Sequence, residues 1–226
     1  MDWRVAIAFA VAIPVATPAR AADPSQFSVA ETRLFVDDHL RGVPESRTLE
    51  YVYAKRGSLE GSIDDTARVT VGPRSGGSGR SVSVEYLTGT RRLELSEIDA
   101  ANGNPVILYF LEHDIREMHR LTGGSVNYYR KRIRMALADG GRVEAGTFGI
   151  GPRRVTTVEI HISPYVDDPA RSRYAKFAEK TYVFTLSDDV PGKVVELRSQ
   201  LLGPPGAPGT AREAVIAETL RFSHEH

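Results

Sequence analysis

Hydrophobic positions along this 226-residue chain recur with two different periods, and the switches between them divide it into elements. From Phe27 to Leu40 (FSVAETRLFVDDHL), Val29, Leu34, Phe35 and Leu40 are spaced as on one face of a helix. Ser28 and Glu31 stand in capping-box register, and Gly42-Val43-Pro44 ends the run, so an amphipathic helix is predicted. From Thr48 to Lys55 the period becomes two, with Leu49, Tyr51 and Tyr53 set against Glu50, Val52 and Ala54. Ala67–Val71, Ser81–Leu87 and Arg91–Leu95 follow, separated by Gly, Ser, Asp and Pro, which is the pattern of an antiparallel meander. The tract GPRSGGSGR (72–80) reads as a hairpin loop inside that meander, because the strand pattern resumes directly after it.

The stretch NGNPVILYFLEHDIREMHRLTGG (102–124) returns to the helical period. Asn104 serves as N-cap, Pro105 as the first helical residue and Gly123-Gly124 as the stop. Ile107, Leu108, Leu111, Ile115, Met118 and Thr122 share one face; Glu112, His113, Arg116, Glu117, His119 and Arg120 share the other. Val126–Ala138 (VNYYRKRIRMALA) then alternates Tyr129, Ile133, Met135 and Leu137 with Arg130, Arg132 and Arg134, and is expected as a strand. Val155–Ile162 is another strand. Lys180–Leu186 and Lys193–Leu202 form a hairpin about the SDDVPG turn, GPPGAPGT (203–210) is a loop, and Ala214–Phe222 is expected as a closing strand. The fold class is therefore mostly β (α+β): eight to ten strands in a single curved antiparallel sheet or half-barrel. An N-terminal helix and one inserted lid helix pack on its concave side.

Composition narrows the setting. The chain is 41% hydrophobic and 26% charged, with 29 basic against 29 acidic residues, so no general attraction to nucleic acid or an anionic membrane is expected. Arg4, the apolar run VAIAFAVAIPVATPA and Ala19-Arg20-Ala21 form a secretory signal peptide over 1–21, leaving 22–226 as a single domain without a transmembrane segment. There are no cysteines, which removes disulfides, thiolate chemistry and a lipid-modified N-terminal cysteine. A bacterial periplasm is the expected compartment.

Candidate chemistry is sparse. His113 and His119 are not at the i, i+4 spacing of metal-binding helices, whereas His113/Glu117 and Glu159/His161 are single imidazole–carboxylate pairs without a third ligand. The acid pairs Asp37-Asp38, Asp64-Asp65, Asp167-Asp168 and Asp188-Asp189 fit turns, and SPYVDDPARSRY (163–174) fits a long connection. No nucleophile-elbow or S-x-x-K motif occurs, and GTFGIGPRR (146–154) lacks the Lys-Ser/Thr of a phosphate loop. The densest charge is YYRKRIR (128–134), which on a strand would array Arg130, Arg132 and Arg134 to meet an anion or an acidic partner, or simply form a solvated outer face.

The signal peptide, the amphipathic first helix, strands such as TLEYVYAKRGSLEG and the interrupting GNPVILYFL before a basic-aromatic segment resemble the lipoprotein carriers of the LolA/LolB type and the RseB-like domains. That resemblance implies a half-barrel with helices as a lid over an apolar cavity. It implies a non-enzymatic periplasmic carrier of a hydrophobic or acylated ligand, with no cofactor and no metal. Tyr109, Phe110, Leu111, Ile115 and Met118 would line the ligand, with Tyr51, Tyr53, Ile133 and Met135 opposite. The alternatives are an envelope interaction or signalling protein docking a partner through Arg130, Arg132 and Arg134, and a hydrolase or metal enzyme about Glu159/His161.

Overall fold

A computed structural model describes residues 27–75, 79–95, 98–205 and 211–226; the expected signal peptide lies outside them. Strands β1 (Thr48–Arg56), β2 (Ile63–Ser75), β3 (Gly79–Tyr86) and β4 (Ile98–Ala101) form one antiparallel meander. Strands β5 (Arg142–Ile150), β6 (Arg153–Ile162), β7 (Thr181–Leu186) and β8 (Val194–Leu202) form a second. The last strand, β9 (Ala214–Glu225), joins them by pairing with both β1 and β8. The result is one nine-stranded antiparallel sheet in the order β4-β3-β2-β1-β9-β8-β7-β6-β5. Its edges, β4 and β5, are consecutive in the chain, so the helical segment between them must cross a face of the sheet from edge to edge.

The sheet curls. The Arg221 guanidinium of β9 lies 5.2 Å from the ring centre of Phe148 on β5. Four strand-to-strand steps separate these residues, and at about 4.8 Å per step a flat sheet would hold them too far apart.

That crossing segment holds two helices, not one. α2 (Val106–Thr122) agrees with the predicted helix: Pro105 has helical dihedrals, Asn104 Oδ1 accepts from the Val106 N–H, and Gly123 ends it at φ 71°. Residues 126–138, expected as a strand, form α3 (Val126–Ala138). The ambiguity has a simple origin. Tyr129, Ile133 and Leu137, the buried residues of α3, are four apart, a spacing that satisfies both a pleat and a helix. Arg, Lys, Met, Ala and Leu dominate the segment and favour the helix. Arg91–Leu95 is not a strand either: Gly89–Arg91 makes a 3₁₀ turn, and only Leu93 bridges to Tyr86. The expected loop 72–80 is partly strand, since the ladder runs to Ser75 and resumes at Gly79. β5 went unforeseen, being solvent-exposed at most positions and interrupted by Gly146 and Gly149. The N-terminal helix begins at Val29–Glu31 (α1) with the Ser28/Glu31 capping box in place, then widens to a π-turn over Thr32–Val36. No helix among the described residues is long and apolar enough to cross a membrane.

α2 is seated on the sheet by a buried charge. Asp114 is fully buried and accepts from Lys180 Nζ at 2.5 Å, Tyr182 Oη at 2.6 Å and Ser199 Oγ at 2.7 Å. Around it, Phe110 and Met118 of α2 pack with no exposed surface, as do Phe184, Leu197 and Leu220 of the sheet. The start of the helix is tied separately, because Asn104 Nδ2 donates to Tyr51 Oη at 2.7 Å and to the Gly192 carbonyl at 2.9 Å. Gly192 has φ 71°, and a Cβ there would strike the Leu49 side chain and the Asn104 amide, so only glycine fits. Asp114→Asn leaves the Lys180 ammonium buried without its counter-charge and is expected to cost about 3–5 kcal/mol. Urea unfolding measures this; a loss under about 1 kcal/mol would show that the cluster does not hold the helix.

Candidate functional site

α2 presents a second apolar stripe beside its sheet-facing one. Leu108, Leu111 and Ile115 face Ile133 and Leu137 of α3, and with Phe35, Leu95 and Ile98 they line an open groove of about 560 Å³. Its size suits a ligand of drug or single-acyl-chain dimensions. The groove is unsealed: Leu108 is 46% and Phe35 37% exposed. Glu112, Arg130 and Arg134 form its polar rim. Arg130 is engaged, donating to Glu112 Oε2 at 2.9 Å and to Asn127 Oδ1 at 2.6 Å. Arg134, one helical turn on, is exposed and has no ion pair among the described residues. Leu95 and Ile98 also bound a second hollow of about 460 Å³, where Val82 and Val84 of β3 face Tyr109 of α2. The two spaces therefore share Leu95 and Ile98 as lining residues.

The structure separates the predicted ligand-lining residues into three groups. Leu111, Ile115 and Ile133 form the floor of the groove, and Tyr109 is on the wall of the second hollow. Tyr51, Phe110 and Met118 are shut into the layer between α2 and the sheet with no exposed surface, and Tyr53, 1% exposed, borders only the hollow beside His113. Met135 is 42% exposed and lines neither space. The arginine row dissolves once 126–138 is helical. Arg130 and Arg134 share the groove rim, whereas Arg132 turns away to Asp168, with Nε 3.0 Å from Oδ2. Asp168 also accepts from the hydroxyls of Tyr128 and Tyr174, so the 163–174 connection is tied to α3. Burial alone would raise the Asp168 carboxyl; the tyrosine hydrogen bonds and Arg132 outweigh it and hold it below the usual range.

The histidine pairs also rearrange. His161 Nε2 lies 3.2 Å from Glu159 and 3.7 Å from Glu144 on a half-exposed strand face, an ordinary ion-pair setting. His113 does not meet Glu117; its Nε2 lies 3.3 Å from Tyr53 Oη and 3.5 Å from a carboxylate no pattern had singled out, Glu218 of β9. Glu218 has no exposed side-chain surface, and neither oxygen has a hydrogen-bond partner: Lys55 Nζ, at 3.7 Å, is also beyond bonding range. The neighbouring Tyr86 hydroxyl is unpartnered too. Lys55 instead donates to Glu60 at 2.6 Å and to Glu117 at 2.8 Å, and Arg120 bonds the same two acids. Burial pushes the Glu218 carboxyl up, partly offset by the charges of Lys180, His113 and Lys55. Glu117 goes the other way: burial opposes ionisation, but Arg120 and Lys55 hold it at about 2. A hollow of about 440 Å³, walled by Tyr53, Ile63 and Leu87 and edged by Lys55, His113, Glu117 and Arg120, opens beside this pair of opposed acids.

Asp114 and Glu218 are the residues a reading for paired motifs misses, yet both carry a sequence signal. Asp114 stands four residues from both Phe110 and Met118 on the buried helix face. Glu218 shares its pleat face with Ile216, Leu220 and Phe222.

Together these features define a class: a one-sheet antiparallel β protein with a helical hairpin across one face and an apolar groove open along that hairpin. No protein-family model and no curated protein sequence matches the chain. Among solved structures it is similar to the crystal structure of the Mycobacterium tuberculosis lipoprotein LppX. There 14% of aligned residues are identical, the alignment covers 89% of this chain and 95% of that one, and the TM-score is 0.32.

Because the folded state raises the Glu218 carboxyl, it binds that proton more tightly than the unfolded chain does. This contribution is whole below the ordinary carboxylate range and is lost as pH rises through the folded value. Glu218→Gln removes the ionisation cost, so its stability relative to the native chain is expected to rise with pH above the ordinary carboxylate range. Denaturation midpoints against pH test this. A variant that loses stability as pH rises would contradict it.

Proposed function

We propose that this chain is a non-enzymatic binding protein of the bacterial envelope. It would be exported to the periplasm by residues 1–21 and would shelter the acyl portion of an amphiphile. The observation that carries this reading is the groove between α2 and α3: an apolar floor of Leu111, Ile115, Ile133 and Leu137 left open beside exposed Leu108 and Phe35. Contiguous apolar surface of this kind costs free energy in water and marks a ligand site when polar groups rim it. Arg134 supports an anionic headgroup, since its exposed guanidinium stands at the mouth and makes no ion pair among the described residues. Tyr109 and the second hollow offer room for a longer or second chain. Partner docking through an arginine row is less well supported, because Arg132 is committed to Asp168.

Delipidated protein is expected to bind a fluorescent fatty acid saturably and to release it to unlabelled fatty acid. Leu108→Arg, at an exposed position that folding tolerates, should weaken binding about tenfold or more, the effect of roughly 1.4 kcal/mol. Arg134→Glu should weaken a fatty acid by a similar factor while leaving the matching fatty alcohol unchanged. No saturable binding to the native chain, or equal binding by Leu108→Arg, would overturn the proposal.

A further inference from the structure

On the face of the sheet turned away from the helices, β1 and β9 bring Glu50, His224 and His226 together. Their ligand atoms, one from each side chain, all lie within 4.8 Å of one another. The backbone sets this arrangement. Glu50 pairs directly with His224, and Thr48 and His226 exchange main-chain hydrogen bonds of 2.9 and 3.1 Å. The register then slips by one residue between Glu50 and Tyr51, leaving Ser223 as the extra residue of a bulge. His224 and His226, two apart on a strand, project to the same side, with ring centres 5.4 Å apart.

The neighbours orient these groups as outer partners orient metal ligands. Ser223 Oγ lies 3.0 Å from His224 Nδ1, which leaves Nε2 of that ring outside the bond. Arg68 Nε donates to Glu50 Oε2 at 2.9 Å, steadying the carboxylate while Oε1 stays outside that bond. Two imidazoles and one carboxylate are the donor set of an open zinc site, with a fourth position left for water. Imidazole selects zinc, copper and nickel over calcium and magnesium.

We propose that Glu50, His224 and His226 form a binding site for a divalent transition-metal ion of the zinc class. The site is independent of the acyl groove, which lies on the other face. Untagged, chelator-treated full-length protein titrated with zinc chloride should take up one equivalent near neutral pH. His224→Ala and His226→Ala should each weaken binding about tenfold or more, and Glu50→Gln by a smaller factor. Binding should weaken as the solution is acidified, because protons compete with the metal for the imidazole nitrogens. Cobalt substitution should give the visible bands of a four-coordinate site, a readout that adventitious surface binding lacks. Unchanged affinity in the His224→Ala/His226→Ala double variant, or no uptake by the native chain, would overturn the proposal. Leu108→Arg should bind zinc as the native chain does, so failure of the groove and failure of this site remain separate results.

Discussion

A single buried carboxylate decides where this molecule has room. Asp114 is removed from water in the middle of α2, which is tolerable only because Lys180, Tyr182 and Ser199 satisfy it from the sheet. Such a contact fixes both the rotation and the height of the helix. Phe110 and Met118 are thereby buried on the sheet side of α2, as Leu197 and Leu220 are on the helix side of the sheet, and the seam about Asp114 is closed to water. The helix is a wall of the core, not a flap above it. Apolar surface left over appears on its flank, along the groove it shares with α3, where Leu108 and Phe35 are exposed to solvent.

Glu218 shows what the same burial does without partners. It lies on the same face of the sheet as the Asp114 cluster but faces His113 and Lys55 across gaps of 3.5 and 3.7 Å. Lys55 is held instead by Glu60 and Glu117, whose negative charge it neutralises nearer the surface. One carboxylate is thus fully served, another strongly ionised and a third driven towards its neutral form, all along one helix–sheet seam. The seam combines a rigid anchor at Asp114 with a polar end at Glu218 whose charge depends on the solution.

The antiparallel sheet was legible because most of its strands keep period two with one face buried; β1, with Leu49, Tyr51 and Tyr53 inward, is the plainest case. α2 was legible from its ends, where Asn104, Pro105 and Gly123 each do what their chemistry favours. α3 was not, because Tyr129, Ile133 and Leu137 satisfy both periods at once, and choosing the strand also placed Met135 and Arg132 in company they do not keep. Of the residues first read as lining a ligand, Leu111, Ile115 and Ile133 border the α2–α3 groove, Tyr109 the second hollow and Tyr53 the hollow beside His113, whereas Tyr51, Phe110 and Met118 lie buried between helix and sheet. Spacing along a helix tells that a face is apolar; which neighbour fills it depends on the fold.

Intermolecular contacts between a bound acyl chain and the protein's methyl groups, read by isotope-filtered NMR on methyl-labelled protein, test the central claim most directly. The account predicts contacts from the chain to Leu108, Leu111, Ile115, Ile133 and Leu137. Contacts to Leu197 and Leu220, beneath α2, would mean that the helix lifts from the sheet and that Asp114 does not pin it.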